Sequence, residues 1–258
     1  MARTIVTPSR PWTPPAVAAD DLRFVRGPAY LRSMVSSRDG RQFRACIFDF
    51  DGVIVDSEPL HAQAKRLTLE RFGIAFPPAL LDEFKGRTDV DFFDHVVGHI
   101  APPGTPPGPL LAEKAERYLE LFAVVPLMPG FSAFLELARR RFERIGIATS
   151  ATRRDFELAA ERFDLTRRVD VIVTGEDTSR HKPDPAPYIE ALARLAVTPG
   201  EALVIEDSPN GVRSARAAGT YVVAMTTAFA PGELSAAGAD RLVAGFDGLA
   251  RILDEFPA

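Results

Sequence analysis

Two carboxylates separated by one residue, Asp49 and Asp51, end an apolar run that begins at Cys46 and breaks at Gly52. Read as a buried strand, that run carries both acids out at its C-terminal end, the rim where open α/β sheets bind ligands. Acids crowded there repel one another, so a bound cation, a shared proton or both is expected. Three later apolar runs also end in polar groups. Ile147 and Ala148 lead to Thr149 and Ser150, a hydroxyl pair that could cradle phosphate at a helix start or simply cap that helix. A run at 169–174 leads on to Lys182, held among the turn residues His181, Pro183 and Asp184; without context it would read as a solvated lysine. Val204 and Ile205 lead to Glu206, Asp207 and Ser208. Two acids directly after a buried strand are costly unless they pair or take a metal ion, and N-capping is their plainer use.

The elements that must position these residues follow from periodicity. The spacing predicts strands at 144–149, 169–174, 202–205, 221–225 and 241–243, besides the first. Helices are expected between them at 131–141, 153–163, 187–196 and 209–218, with a last one near 249–253. Strands alternating with helices of about ten residues mean βαβ units and a mainly parallel, doubly wound, Rossmann-like α/β sheet. From 60 to 125 the pattern is helical throughout, with segments at 60–72, 78–84, 89–100 and 110–125 and a proline-rich loop at 101–109. The division expected is therefore an α/β core from 44–58 and 126–258, with an all-helical insert at 59–125. Residues 1–43, punctuated by Pro8, Pro11, Pro14 and Pro15, read as a loosely packed or disordered extension, with Met34 as a second possible start.

Bulk composition narrows the partners. With 258 residues, 46% hydrophobic and 26% charged, and a formal net charge of −4, the chain has no basic excess for a nucleic acid. No apolar run approaches the length of a membrane span. Cys46 is the only cysteine, so no intramolecular disulfide can form, and a reducing cytoplasm is the expected location.

A DxD, a hydroxyl pair, a lysine and an acid pair, met in that order at successive strand ends, resemble the haloacid dehalogenase-like superfamily of aspartate-dependent phosphotransferases. Phe48-Asp49-Phe50-Asp51-Gly52-Val53 is similar to the family's first motif, Thr149-Ser150 to the second, Lys182-Pro183 to the third, and Glu206-Asp207-Ser208 with Asn210-Gly211 to the fourth. The resemblance covers about residues 45–250 and implies a role for each. Asp49 becomes the nucleophile, forming an aspartyl-phosphate, and the Asp51 side chain the general acid and base. Mg2+ is the implied cofactor, held by Asp49, the Asp51 backbone carbonyl and Asp207, with Glu206 adding a ligand directly or through water. Thr149 or Ser150, together with Lys182, would hold the phosphoryl oxygens. The dehalogenase branch has no use for a second aspartate at position 51.

In the same family the helical insert resembles a cap that closes over the site and supplies specificity. The run from Val55 to His61 resembles beta-phosphoglucomutase and its phosphatase relatives. That likeness makes His61, Arg87 in the loop Lys85-Gly86-Arg87-Thr88, and Thr152 and Arg153 after the second motif the expected substrate-binding residues; no second cap lysine stands out. The leading expectation is a phosphatase for a small phosphorylated metabolite, a sugar phosphate foremost, acting as a monomer or homodimer. The alternative is a beta-phosphoglucomutase-type sugar phosphomutase. A silent binding protein ranks third, since no motif residue is missing.

Overall fold

The computed structural model describes residues 42–84 and 88–256. The extension up to residue 41 and the cap-loop residue Arg87 lie outside the described residues. Phe43, at the C-terminal end of that extension, is buried against the rings of Tyr221 and Phe256.

Among the described residues six strands form one sheet: β1 (Ala45–Phe48), β2 (Arg144–Ala148), β3 (Val171–Val173), β4 (Ala202–Glu206), β5 (Tyr221–Met225) and β6 (Arg241–Val243). Their order is β3-β2-β1-β4-β5-β6 and every pairing is parallel. Side chains alternate between the two faces of a strand, and in this sheet both faces are covered. Cys46, Phe48, Leu203, Ile205, Val223 and Met225 point into one core, closed by α5 (Phe131–Arg141), α6 (Arg153–Phe163) and α11 (Phe246–Leu253). Ala45, Ile47, Val204, Val222 and Ala224 point into the other, closed by α8 (Ala186–Leu195), α9 (Pro209–Ala217) and α10 (Pro231–Ala236). Phe131, Phe134, Leu135 and Ala138 form the buried stripe of α5, while Arg139, Arg140 and Arg141 occupy its last turn, where cations suit the helix dipole.

Between β1 and α5 the described residues are helical: α1 (Glu58–Arg71), α2 (Ala79–Glu83), α3 (Asp89–His99) and α4 (Pro107–Phe122). They gather a hydrophobic cluster of their own from Leu69, Leu80, Phe84, Phe92, Phe93, Val96 and Leu110. The two chain crossings between this insert and the sheet lie side by side. Asp56 N donates to Pro126 O and Met128 N to Ile54 O, both at 2.9 Å, around an antiparallel bridge from Val55 to Leu127. Among the described residues no helix is long and apolar enough to cross a membrane.

Several boundaries differ from the sequence-based expectation for local reasons. Helix α4 starts at Pro107, inside the expected loop, because first-turn N–H groups have no intrahelical partner and prolines there lose nothing. Strand β3 is only three residues long. At its start the Asp170 carboxylate takes the Ile145 N–H at 2.7 Å, in place of a backbone carbonyl. A four-residue helix, α7 (Leu165–Arg168), and α10 were not foreseen; both are too short for periodicity to reveal.

Candidate active site at the sheet switch point

The strand order reverses direction between β1 and β4, and in open α/β sheets the crevice beyond such a switch point is the usual ligand site. Asp49 follows β1 and Asp207 follows β4, so the acids straddle that point. Backbone pairing continues past the strand, with Asp49 N donating to Ile205 O at 2.9 Å. The chain then turns at Gly52, whose φ of +73° suits glycine. A Cβ at Gly52 would lie 1.9 Å from Asp207 Oδ2, so the bare backbone is what lets the second carboxylate in.

Beneath the acids a cation is fixed. Lys182 Nζ donates to Asp49 Oδ1 at 2.6 Å and to Glu206 Oε1 at 2.7 Å. The Tyr188 hydroxyl, from α8, donates to the same Glu206 oxygen at 2.7 Å. Glu206 Oε2 accepts from Asp207 N at 3.0 Å and from Ser208 N and Oγ, both at 3.2 Å. The carboxylate fits because position 211 is glycine: a Cβ there would sit 1.7 Å from Glu206 Oε1. Lys182–Pro183 is a cis peptide.

Charge and burial divide the acids into two kinds. Burial pushes the Asp49 carboxyl up to about 7, with Lys182 opposing and the negative charges of Glu206 and Asp51 adding to the rise. Asp207 is raised well above the carboxylate range by burial, then by Glu206 and Asp49. Asp51 is raised as well, chiefly by burial, and among the described residues its Oδ1 is buried with no hydrogen-bond partner. Glu206 goes the other way: burial opposes ionisation, but Lys182 and the Tyr188 hydroxyl hold it below its ordinary value. Lys182 is held above its own despite burial, by Asp49 and Glu206.

This balance leaves the cluster short of positive charge. Asp49, Glu206 and Asp207 each offer an oxygen within 4.8 Å of the other two. Hard carboxylate oxygens so grouped fit a divalent cation of the Mg2+ type. Asp49 and Asp207 are the better placed to hold it, because both Glu206 oxygens are already engaged.

A cavity of about 270 Å³ opens above, lined among others by Asp49, Asp51, Ser150, Lys182, Asp207 and His61. Thr149 also lines it, but its Oγ1 accepts from Ala151 N at 2.9 Å and shapes the loop. Ser150 is exposed in this loop, which packs so tightly on Gly175 that a Cβ there would lie 2.8 Å from Ser150 O. Thr152 and Arg153 do not line the cavity. Thr152 caps α6 by accepting from Asp155 N at 3.1 Å, and Arg153 is paired with Asp177 at 2.8 Å.

His61 enters from α1 with its ring stacked on Tyr118 of α4, centroids 4.1 Å apart. Lys114 Nζ lies 3.0 Å from His61 Nδ1 and 2.5 Å from Asp89 Oδ2, while Lys65 sits 3.5 Å from the other Asp89 oxygen. Burial, then the nearby Lys114 charge, pushes the His61 imidazole down to about 3. An ammonium can only donate, so Nδ1 is the accepting nitrogen and the proton of the neutral ring sits on Nε2.

Sequence reasoning did not single out Tyr188, Lys65, Asp89 or Lys114, and it gave Gly211 no reason. The usable signal was Gly211 itself, a glycine inside a helix with no turn to make, which marks a close approach. Comparison with known proteins agrees with the geometry. Residues 46–225 match the family model for haloacid dehalogenase-like hydrolases. The chain is 31% identical over 192 residues to the validoxylamine A 7'-phosphate phosphatase of Streptomyces hygroscopicus subsp. limoneus, covering 72% of this chain and 86% of that one. It is 30% identical over 191 residues to a phosphorylated carbohydrates phosphatase of Thermotoga maritima, covering 68% and 81%. A solved structure of a candidate beta-phosphoglucomutase from Thermotoga maritima superposes with a TM-score of 0.72 at 29% identity, over 83% of this chain and 99% of that one. Sheet order, motif placement and sequence likeness therefore converge, and this chain belongs to the haloacid dehalogenase-like hydrolases.

Proposed function

We propose that the chain is a Mg2+-dependent phosphatase for a small phosphorylated metabolite, a sugar phosphate foremost, working through an aspartyl-phosphate on Asp49. The observation that carries this reading is that one cavity is lined by Asp49, Asp51, Ser150, Lys182 and Asp207 together. An Asp49 oxygen attacks phosphorus while the Asp51 carboxyl gives its proton to the departing alkoxide. Water then attacks the acyl phosphate, Asp51 takes the proton, and inorganic phosphate leaves. Lys182 and Ser150 bind the phosphoryl oxygens, and Lys182 also offsets the Asp49 charge that would repel them. A bound Mg2+, held by Asp49, Asp207 and the Asp51 carbonyl with Glu206 behind, would neutralise charge shared by the nucleophile and the phosphoryl group.

The helical insert at 59–125 acts as a cap in this proposal, and His61 offers the substrate a neutral Nε2–H donor, suited to a hydroxyl or ester oxygen. Both sequence relatives are phosphatases by name, and one takes phosphorylated carbohydrates. Likeness to the candidate beta-phosphoglucomutase supports sugar phosphomutase activity as the second reading.

The test is a Mg2+-dependent assay over a panel of sugar phosphates, recording free phosphate and isomerised product, with Asp49→Asn as control. Phosphate release that disappears in Asp49→Asn is expected. Isomerisation with little release would replace the phosphatase by the phosphomutase; release unaffected by Asp49→Asn would remove Asp49 from the mechanism.

A further inference from the structure

Two of the chain's four histidines, His95 and His99, stand one turn apart on α3, and none of that helix lines the active-site cavity. Their rings have centroids 4.7 Å apart and are tilted by 44°. His95 is half-buried with the Phe84 ring 4.9 Å behind it, and His99 is exposed in the last turn. Among the described residues neither imidazole has a hydrogen-bond or ion-pair partner; their contacts are with rings. Asp91, one turn before His95, has its carboxylate on the Thr88 hydroxyl at 2.8 Å.

The helix that carries the pair is held at several points. Thr88 caps it, Asp89 is tied to Lys65 and Lys114, and Phe92, Phe93 and Val96 are buried in the cap core. Residues four apart on a helix are neighbours, and helical zinc sites place two histidines at this same spacing. Imidazole nitrogen favours Zn2+, Cu2+, Ni2+ and Co2+, whereas Mg2+ prefers oxygen donors. The two sites would thus draw on different ions.

We propose that His95 and His99 form a two-histidine site for a divalent transition-metal ion on the cap, separate from the acidic cluster and completed by water. The experiment is a calorimetric titration of the tag-free full-length chain with Ni2+ in saturating Mg2+, together with NMR of the histidine ring protons. One equivalent is expected to bind, broadening the two α3 imidazoles and leaving His61 and His181 sharp. His99→Ala and His95→Gln should each abolish that binding without changing the melting curve of the ion-free chain, because His99 is exposed and glutamine retains much of the histidine volume. Asp49→Asn should leave it intact. Binding that survives both histidine substitutions, or is lost in Asp49→Asn, overturns the proposal and assigns the ion elsewhere. The phosphatase reading is tested separately, by phosphate release in Mg2+ alone, which His99→Ala should leave unchanged because His99 does not line the cavity.

Discussion

Gly211→Ala is the sharpest single probe of how this site is packed. In a helix the exchange of glycine for alanine ordinarily stabilises by up to about 1 kcal/mol. Here the new Cβ would fall 1.7 to 2.1 Å from the Glu206 carboxylate atoms. On a surface that carboxylate would swing aside at little cost. Glu206 is fully buried, and five donors converge on it, from Lys182, Tyr188, Asp207 and two groups of Ser208. Forcing it out breaks a buried charge pair, which costs about 3–5 kcal/mol. Set against the helix gain, the net loss is about 2–4 kcal/mol, or roughly 5–15 °C in melting temperature for a chain of this size. Urea denaturation of wild type and variant measures it. Gly98→Ala is the control, since Gly98 lies in α3 with nothing among the described residues within 4 Å of a Cβ, and there the change should be neutral or stabilising. The decisive construction is the double change: in a Glu206→Ala background the methyl has room, so Gly211→Ala should cost almost nothing. A single-variant loss below about 0.5 kcal/mol, or an equal loss in both backgrounds, would refute the steric argument.

Three other outcomes can be checked with the same material. Tyr188→Phe removes one donor to the ionised Glu206 and should destabilise by about 1.5–3 kcal/mol with the fold retained; a value near zero would mean the hydroxyl is not needed. In chelator, stability should fall as pH rises from about 5 to about 8, because the raised carboxyls of Asp49 and Asp207 bind protons in the folded chain that the unfolded chain has released. That contribution is complete below the unfolded value near 3.8 and lost through about 7 for Asp49. Saturating Mg2+ should flatten the profile, and a urea midpoint that rises with pH in chelator would contradict the sign. Gly52→Ala, strained at φ +73° and set against Asp207, should weaken Mg2+ binding measured by calorimetry; unchanged affinity would show that Asp207 is free to move.

Much of this could be read from the chain because the chemistry sits where regular elements end. β5 and β6 have the bounds that alternation and apolar runs predict, and α6 begins where Thr152 caps it. Asp49, Asp51, Ser150, Lys182 and Asp207 each follow a recognisable strand, so parallel pairing alone carries them to one rim. What escaped depends on contacts between distant residues. Tyr188 reads as one apolar position of α8 until Glu206 is found beside it, and Lys114 as an ordinary helical lysine until His61 and Asp89 face it. Thr152 and Arg153 show the converse, being well placed in sequence after a strand end but engaged in capping and in an ion pair with Asp177.

The paired crossings at Ile54–Asp56 and Pro126–Met128 have a mechanical consequence. Two independent tethers would let the helical insert twist, slide and tilt over the sheet. Tethers joined by backbone hydrogen bonds form a ribbon instead, which flexes across its flat face but resists shear and torsion, since either would rupture its bridge. Any relative movement would thereby be reduced toward one angular coordinate, an opening and closing. His61 would then approach and leave the aspartates along a repeatable arc, whatever molecule occupies the space between them.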